Sequence, residues 1–170
     1  MIKELHVPIS DEDVAGLGVG DVVRISGTVY CGRDAVLPKV CAMLANGDAV
    51  SHGLDFQGGV MFHTAVSPAG IGPTSSNKVE IEGSFGPLSA AGLKIHLGKG
   101  AISPDTIAEL ARHNAVYAVI PPVTALLGSK TSNVEVAAFP ELGMEALHRV
   151  SVDGYEAIIA AAHGKSIYGK

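Results

Sequence analysis

Three runs that read as β-strands each lead to a glycine-containing turn that carries a cation, and this repeated strand-to-turn pattern constrains the fold more than any other feature. The first is Gly27-Thr28-Val29-Tyr30-Cys31-Gly32-Arg33-Asp34. The second is Gly70-Ile71-Gly72-Pro73-Thr74-Ser75-Ser76-Asn77-Lys78, and the third is Leu97-Gly98-Lys99-Gly100. Glycine lacks a Cβ, so backbone N–H groups beside it can approach a ligand closely. Arg33, Lys78 and Lys99 together could hold an anion with two carboxylates. Each feature alone has a plainer reading: Lys99 as a surface lysine, Thr74-Ser75-Ser76 as turn chemistry, Asp34 as a helix cap. Their recurrence after strands is what points to a small anion.

The rest of the chain supplies the elements around these turns. Val22 to Tyr30 alternates Val23, Ile25 and Val29 with Arg24, Ser26 and Thr28, a strand pattern rich in β-branched residues. Ala35 to Ala45 carries Val36, Val40, Cys41 and Leu44 at helical spacing, with Pro38 in the first turn and Asn46-Gly47 as the stop. Gly59 to Val66 reads as one strand and Lys94 to Leu97 as another, while Val79 to Phe85 fits no clear period. Pro87 to Ala91 fits a small helix ended by Gly92. Ser103-Pro104-Asp105 starts a helix that runs to His113. Strands are expected over Ala115 to Ile120, Asn133 to Ala138 and Ala146 to Val152. Val123 to Leu127 reads as a helical turn, Glu141-Leu142-Gly143-Met144 as a turn, and Tyr155 to His163 as a terminal helix. The expectation is one α/β layered domain over residues 1–170, with a mixed sheet of some barrel-like character.

Composition removes several function classes. Hydrophobic residues make up 47% and charged residues 17%, which is not a disordered chain. The balance of 12 basic and 17 acidic residues, a formal −5, argues against nucleic acid as a partner. A mean hydropathy of +0.33 implies either a very complete core or an apolar face that meets another chain. Cys31 and Cys41 form no CxxC, and an iron–sulfur cluster ordinarily takes three or four thiolates, so no metal is assigned to this chain. Cys31 reads either as an oxidation-sensitive thiol near Arg33 or as a buried one. Met1 to Ser10 lacks the apolar core of a secretory signal, and Ala115 to Gly128 is broken by Pro121-Pro122. The expected location is the cytoplasm, with no membrane span. The histidines are scattered, with no i, i+4 pair, and His113 and His163 fall near expected helix C-termini. No nucleophile–base–orienter set can be read from spacing.

Four stretches together carry a family resemblance: Gly27 to Ala35, Gly72-Pro73-Thr74-Ser75-Ser76-Asn77-Lys78, Gly98-Lys99-Gly100, and Glu141-Leu142-Gly143-Met144-Glu145-Ala146. In their order and spacing the chain resembles the β subunit, or C-terminal domain, of class I iron–sulfur fumarate hydratases and L-tartrate dehydratases. The resemblance implies a swivelling β/β/α domain. It implies reversible hydration of a C4 dicarboxylate, most directly fumarate to L-malate, with a 4Fe–4S cluster held by a partner α subunit in a hetero-oligomer. The isolated chain could self-associate. Substrate contacts carry over to Arg33, Thr74, Lys78 and Lys99, with Thr74 in proton transfer or hydroxyl positioning. Lys99 would also ease the charge of an enediolate-like intermediate.

Two positions depart from the family pattern. Lys78 stands where arginine is usual and loses the bidentate fork that suits a carboxylate. Leu37 stands where a histidine in an Ala-His-Lys stretch is usual, so a proton-transfer role there is unfilled. That leaves open a dispensable role, a changed substrate such as tartrate or a methylated dicarboxylate, or a non-catalytic binding or scaffold module.

Overall fold

A computed structural model describes residues 2–32, 35–47, 54–67, 70–74, 78–98, 102–120 and 131–167. In chain order the elements are β1 (Ile2–His6), α1 (Asp11–Ala15), β2 (Val22–Cys31), α2 (Leu37–Asn46), β3 (Val60–Phe62), β4 (Thr64–Ser67) and β5 (Gly70–Thr74). They continue with α3 (Lys78–Ala90), β6 (Ile95–Gly98), α4 (Pro104–Arg112), β7 (Val116–Val119), β8 (Thr131–Ala138), a 3-10 stretch (Pro140–Glu145), β9 (Leu147–Ala162) and β10 (Lys165–Ser166).

Five strands close on themselves. β2, β3, β6 and β7 lie side by side in parallel, and β9 runs antiparallel between β7 and β2. The carboxyl ends of four parallel strands therefore share one rim of a mixed barrel. β1 adds to the first half of β2, while β8 and β10 add to the two ends of β9. β4 and β5 form a separate hairpin. The inward row of each strand fills the barrel with Val23, Ile25, Val60, Phe62, Ile95 and Leu97, all fully buried. Burial of each such side chain is worth about 1.5–3 kcal/mol.

Helices cover the outer face. Met61 packs with Val40 and Leu88 beneath α2 and α3, and Tyr117 packs with Phe85 and Leu110 beneath α3 and α4. α2 starts on Leu37-Pro38 and stops at Gly47, whose φ of 74° permits the left-handed cap. Ser103 caps α4 by accepting the Thr106 N–H.

Three elements differ from the sequence-based expectation. Tyr155 to His163 is not a helix: it is the second half of the long strand β9. Its alanines favour a helix in isolation. The run nevertheless pairs with β2 and β7, burying Tyr155, Ala157 and Ile159 inside and Ala160 beneath the helices. Pro87 to Ala91 is the end of α3 and not a separate helix; Gly83, Gly86 and Pro87 had hidden the longer segment. Gly59 to Val66 is two strands, because the chain leaves the barrel sheet at His63 and enters the hairpin at Thr64. The expected turn over Val123 to Leu127 lies outside the described residues.

β9 changes partners along its length, and a bulge makes that possible. Its register against β2 shifts between Ile25 and Gly27. Gly27 and Gly154 both take positive φ there, 120° and 71°. Ser26 Oγ accepts the Gly154 N–H at 2.9 Å and pins the bend.

Candidate functional site

The rim at the carboxyl ends of β2, β3 and β6 brings Gly32 and Gly98 to one end of the barrel. Cys31 ends β2, faces Phe62 on β3, and Phe62 faces Leu97 on β6. The ladder continues past the strand ends: the Gly32 N–H donates to Phe62 O at 3.0 Å, and the His63 N–H to Leu97 O at 3.0 Å.

Both glycines at the rim sit in close packing. A Cβ on Gly32 would stand 3.0 Å from Val36 Cγ1 and 3.3 Å from Leu37 and Leu147. A Cβ on Gly98 would stand 3.2 Å from the Tyr117 ring and hydroxyl. The residues that follow them in sequence, Arg33 and Lys99, lie outside the described residues. Thr74 closes β5, and its backbone pairs with Thr64, the first residue after His63. Lys78 opens α3, which runs back along the barrel and turns through Gly92 into β6. The amino end of α3 therefore stands on the rim side. The side chains of Thr74 and Lys78 lie outside the description. The 3-10 stretch Pro140–Glu145, which carries all of the fourth motif but Ala146, packs beside β4 at this same end.

Sequence reasoning passed over a buried polar chain beneath α3. His63 and His96 are both fully buried. His63 Nε2 lies 3.4 Å from His96 Nδ1, and His96 Nε2 lies 2.9 Å from Ser89 Oγ. Phe85 stacks on His96 with centroids 4.1 Å apart. Burial first, and the neighbouring His63 second, hold the His96 imidazole well below the usual histidine range. The available signal was parity: His96 alternates with inward Ile95 and Leu97, so it faces outward under the helix layer.

A third overlooked histidine is the second residue of β9. His148 pairs with Cys31 across β2–β9, and its Nδ1 lies 3.0 Å from Ala146 O. Cys31 itself is sealed in the barrel, where burial pushes its thiol up to about 12. That favours the buried-thiol reading over the oxidation-sensitive one. Of the two histidines expected at helix ends, His113 caps α4 and meets Glu109 at 3.0 Å. His163 instead follows a strand and bonds Leu17 O at 2.8 Å.

A family model described as Fumarase C-terminus matches residues 2–170. The chain is 28% identical to a Methanocaldococcus jannaschii protein that carries the name of an L(+)-tartrate dehydratase subunit beta, over 94% of this chain and 88% of that one. It is 27% identical to the L(+)-tartrate dehydratase subunit beta of Escherichia coli (strain K12), over 98% of this chain and 87% of that one. It is 28% identical to fumarate hydratase 2 of Leishmania major, over 89% of this chain but 28% of that protein. A match of this extent shows that the chain, a mixed barrel with Gly32 and Gly98 at one rim, belongs to the fumarase C-terminus family.

Proposed function

We propose that this chain is the β subunit of a two-subunit class I hydro-lyase that reversibly hydrates fumarate to L-malate, and that it supplies the cations that bind the substrate carboxylates. The observation that carries this reading is the shared rim. Gly32, the Thr64–Thr74 pair and Gly98 end neighbouring segments there, and Arg33, Lys78 and Lys99 follow them within a few residues. Charged hydrogen bonds to a carboxylate are the strong ones, and they hold the substrate in one orientation. Thr74 positions the substrate hydroxyl. Lys99 offsets the charge that builds on the carboxylate as the neighbouring carbon loses its proton.

Iron–sulfur chemistry is typical of class I fumarate hydratases and tartrate dehydratases. The described residues of this chain do not suit a cluster. Cys31 faces the barrel interior and Cys41 lies half-buried on α2, with both thiols pushed up by burial. Among the described residues, no three His, Cys, Asp or Glu side chains gather to hold a metal. We assign the cluster, and the Lewis-acid chemistry it supplies, to the partner α subunit.

L(+)-tartrate is the second reading. It is favoured by the relatives that this chain spans almost end to end, which are named as tartrate dehydratase β subunits. The test is anaerobic reconstitution with a cluster-loaded α subunit, assayed on fumarate, L-malate, L(+)-tartrate and a methylated fumarate. Turnover of fumarate and malate above tartrate supports the first reading, and the reverse order supports the second. A folded, cluster-loaded complex that binds these acids but turns over none would make the chain a binding module.

A further inference from the structure

The β4–β5 hairpin carries Thr74 as its last residue and leaves the barrel at His63. A two-stranded hairpin is marginally stable by itself. How firmly Thr74 is held therefore depends on what fastens the base of the hairpin. His63 fastens it twice. Its backbone extends the β3–β6 ladder by one residue, donating to Leu97 O at 3.0 Å. Its ring meets His96 on the same strand β6, with Nε2 3.4 Å from Nδ1. The next residue, Thr64, is fully buried, and its backbone pairs with Thr74.

The other end of the same chain of contacts fastens α3. His96 Nε2 lies 2.9 Å from Ser89 Oγ. Phe85, one turn earlier on α3, lies against both rings, with centroids 5.1 Å from His63 and 4.1 Å from His96. α3 opens with Lys78, four residues after Thr74. The His63–His96–Ser89 chain thus ties the hairpin that ends in Thr74 to the helix that begins at Lys78. Two neutral imidazoles and a hydroxyl can make both links in either direction. His63 Nε2–H donates to His96 Nδ1 while His96 Nε2–H donates to Ser89, or every bond is reversed. Such bonds are strong in a buried, low-dielectric setting, and a polar atom that loses its partner there is penalised. The fastening is therefore stiff as well as local.

We propose that His63 and His96 are positioning residues of the site, whose ring-to-ring contact sets where Thr74 stands during the reaction. Neither ring touches the substrate. The pair acts through the backbone pairing of Thr64 with Thr74. Were the two histidines only core stabilisers, every complex that still folded would keep its kcat. A loosened hairpin base instead displaces Thr74 in complexes that are fully folded. A misplacement of about 1 Å at a reacting group can cost roughly 10²-fold in rate. This role rests on the hydro-lyase reading given above and deepens it.

The test uses the complex reconstituted with its cluster-loaded α subunit and two variants. His63→Phe keeps a ring beside Phe85 but removes the link to His96. Ser26→Ala, which removes one hydrogen bond at the β9 bulge, is the control for a general loss of stability. Per folded complex, kcat of His63→Phe should fall roughly 10- to 100-fold while KM stays within about threefold. Ser26→Ala should keep kcat within about threefold of wild type. A His63→Phe complex within about threefold of wild-type kcat, with the wild type active, overturns the positioning role alone. An equal fall in Ser26→Ala overturns it too, since any weakening of the fold would then slow the reaction. A cluster-loaded wild-type complex inert on every acid tested overturns the hydro-lyase reading, and the positioning role with it. Should His63→Phe fail to fold, amide exchange in the wild-type complex decides. Hydrogen-bonded hairpin amides that exchange within about tenfold of those in β3 and β6 open only with the barrel and support the proposal. Faster exchange in the hairpin shows that its base is not fastened and overturns it.

Discussion

His63 and His96 face each other ring to ring, Nε2 to Nδ1 at 3.4 Å, in a fully buried position beneath Phe85. Such a pair suits neutral imidazoles and penalises a proton. The folded pKa of His96 is depressed, so its contribution to stability is fully present above the unfolded value of about 6.5. It is lost as pH falls below that value, because the unfolded chain takes up a proton that the fold refuses. From this group the unfolding free energy should fall by up to about 1.4 kcal/mol per pH unit below pH ~6.5. Denaturant titrations at pH 7.5, 6 and 5 measure the slope. His96→Leu should flatten it while lowering the overall stability, since Ser89 loses its partner.

Gly98→Ala should be costly although it adds one methyl group. The new Cβ would stand 3.2 Å from the Tyr117 ring, and Tyr117 is buried in one cluster with Phe85, Leu110 and Ala160. Overpacking of this kind costs about 1–3 kcal/mol. The loss is read from the denaturant midpoint, and Gly18→Ala, 3.8 Å from the nearest side-chain atom, serves as the mild comparison.

Arg33→Ala and Lys99→Ala should spare the fold and damage turnover. Removing a cation that serves only a ligand changes stability by within about 0.5 kcal/mol. Leaving a substrate carboxylate unpaired costs on the order of 2–5 kcal/mol, or roughly 30- to 5,000-fold in kcat/KM. Lys78→Arg should preserve or raise activity by restoring the two-pronged donor. Melting temperatures and steady-state kinetics of the complex check all three. Unfolding on either alanine substitution, or kcat/KM within about threefold of wild type, would make these residues structural.

Ser26→Ala removes the hydroxyl that accepts the Gly154 N–H at the bulge. The expected loss is about 0.5–1.5 kcal/mol, the usual net value of one hydrogen bond. Amide exchange should quicken at Gly154 before it quickens in the rest of β9. Uniform exchange along the strand would show that the bulge is held by other means.

These predictions draw on features of unequal visibility in the sequence. β2 announced itself through Val23, Ile25 and Val29, and α4 through Ser103-Pro104, because one face or one cap is enough to define them. The second half of β9 did not: Ile158 is apolar although exposed, Ile159 to Ala162 are buried in succession and so do not alternate, and alanine leans towards helix. α3 was hidden for the opposite reason: Gly83, Gly86 and Pro87 break local propensity, and its packing on α2 and α4 holds it together. At the rim, Gly32 and Gly98 were legible as turn markers, but the packing that would crowd a Cβ was not. His148 could not have been singled out from one chain. Its place depends on pairing with Cys31, from the far end of the sequence.

That same pairing sets an order of events during synthesis. α2, α4 and the parallel strands β3, β6 and β7 can form from residues close in sequence, but β2 and β7 keep open edges until β9 arrives. Contacts between distant segments form late and slowly. Open edges can meanwhile pair with the wrong strand or with another chain. The rim is incomplete for as long as the wall is, because His148 and Ala146 sit at the entrance of the closing strand. A nascent or C-terminally clipped chain therefore has no half-built site to offer a ligand or a partner subunit.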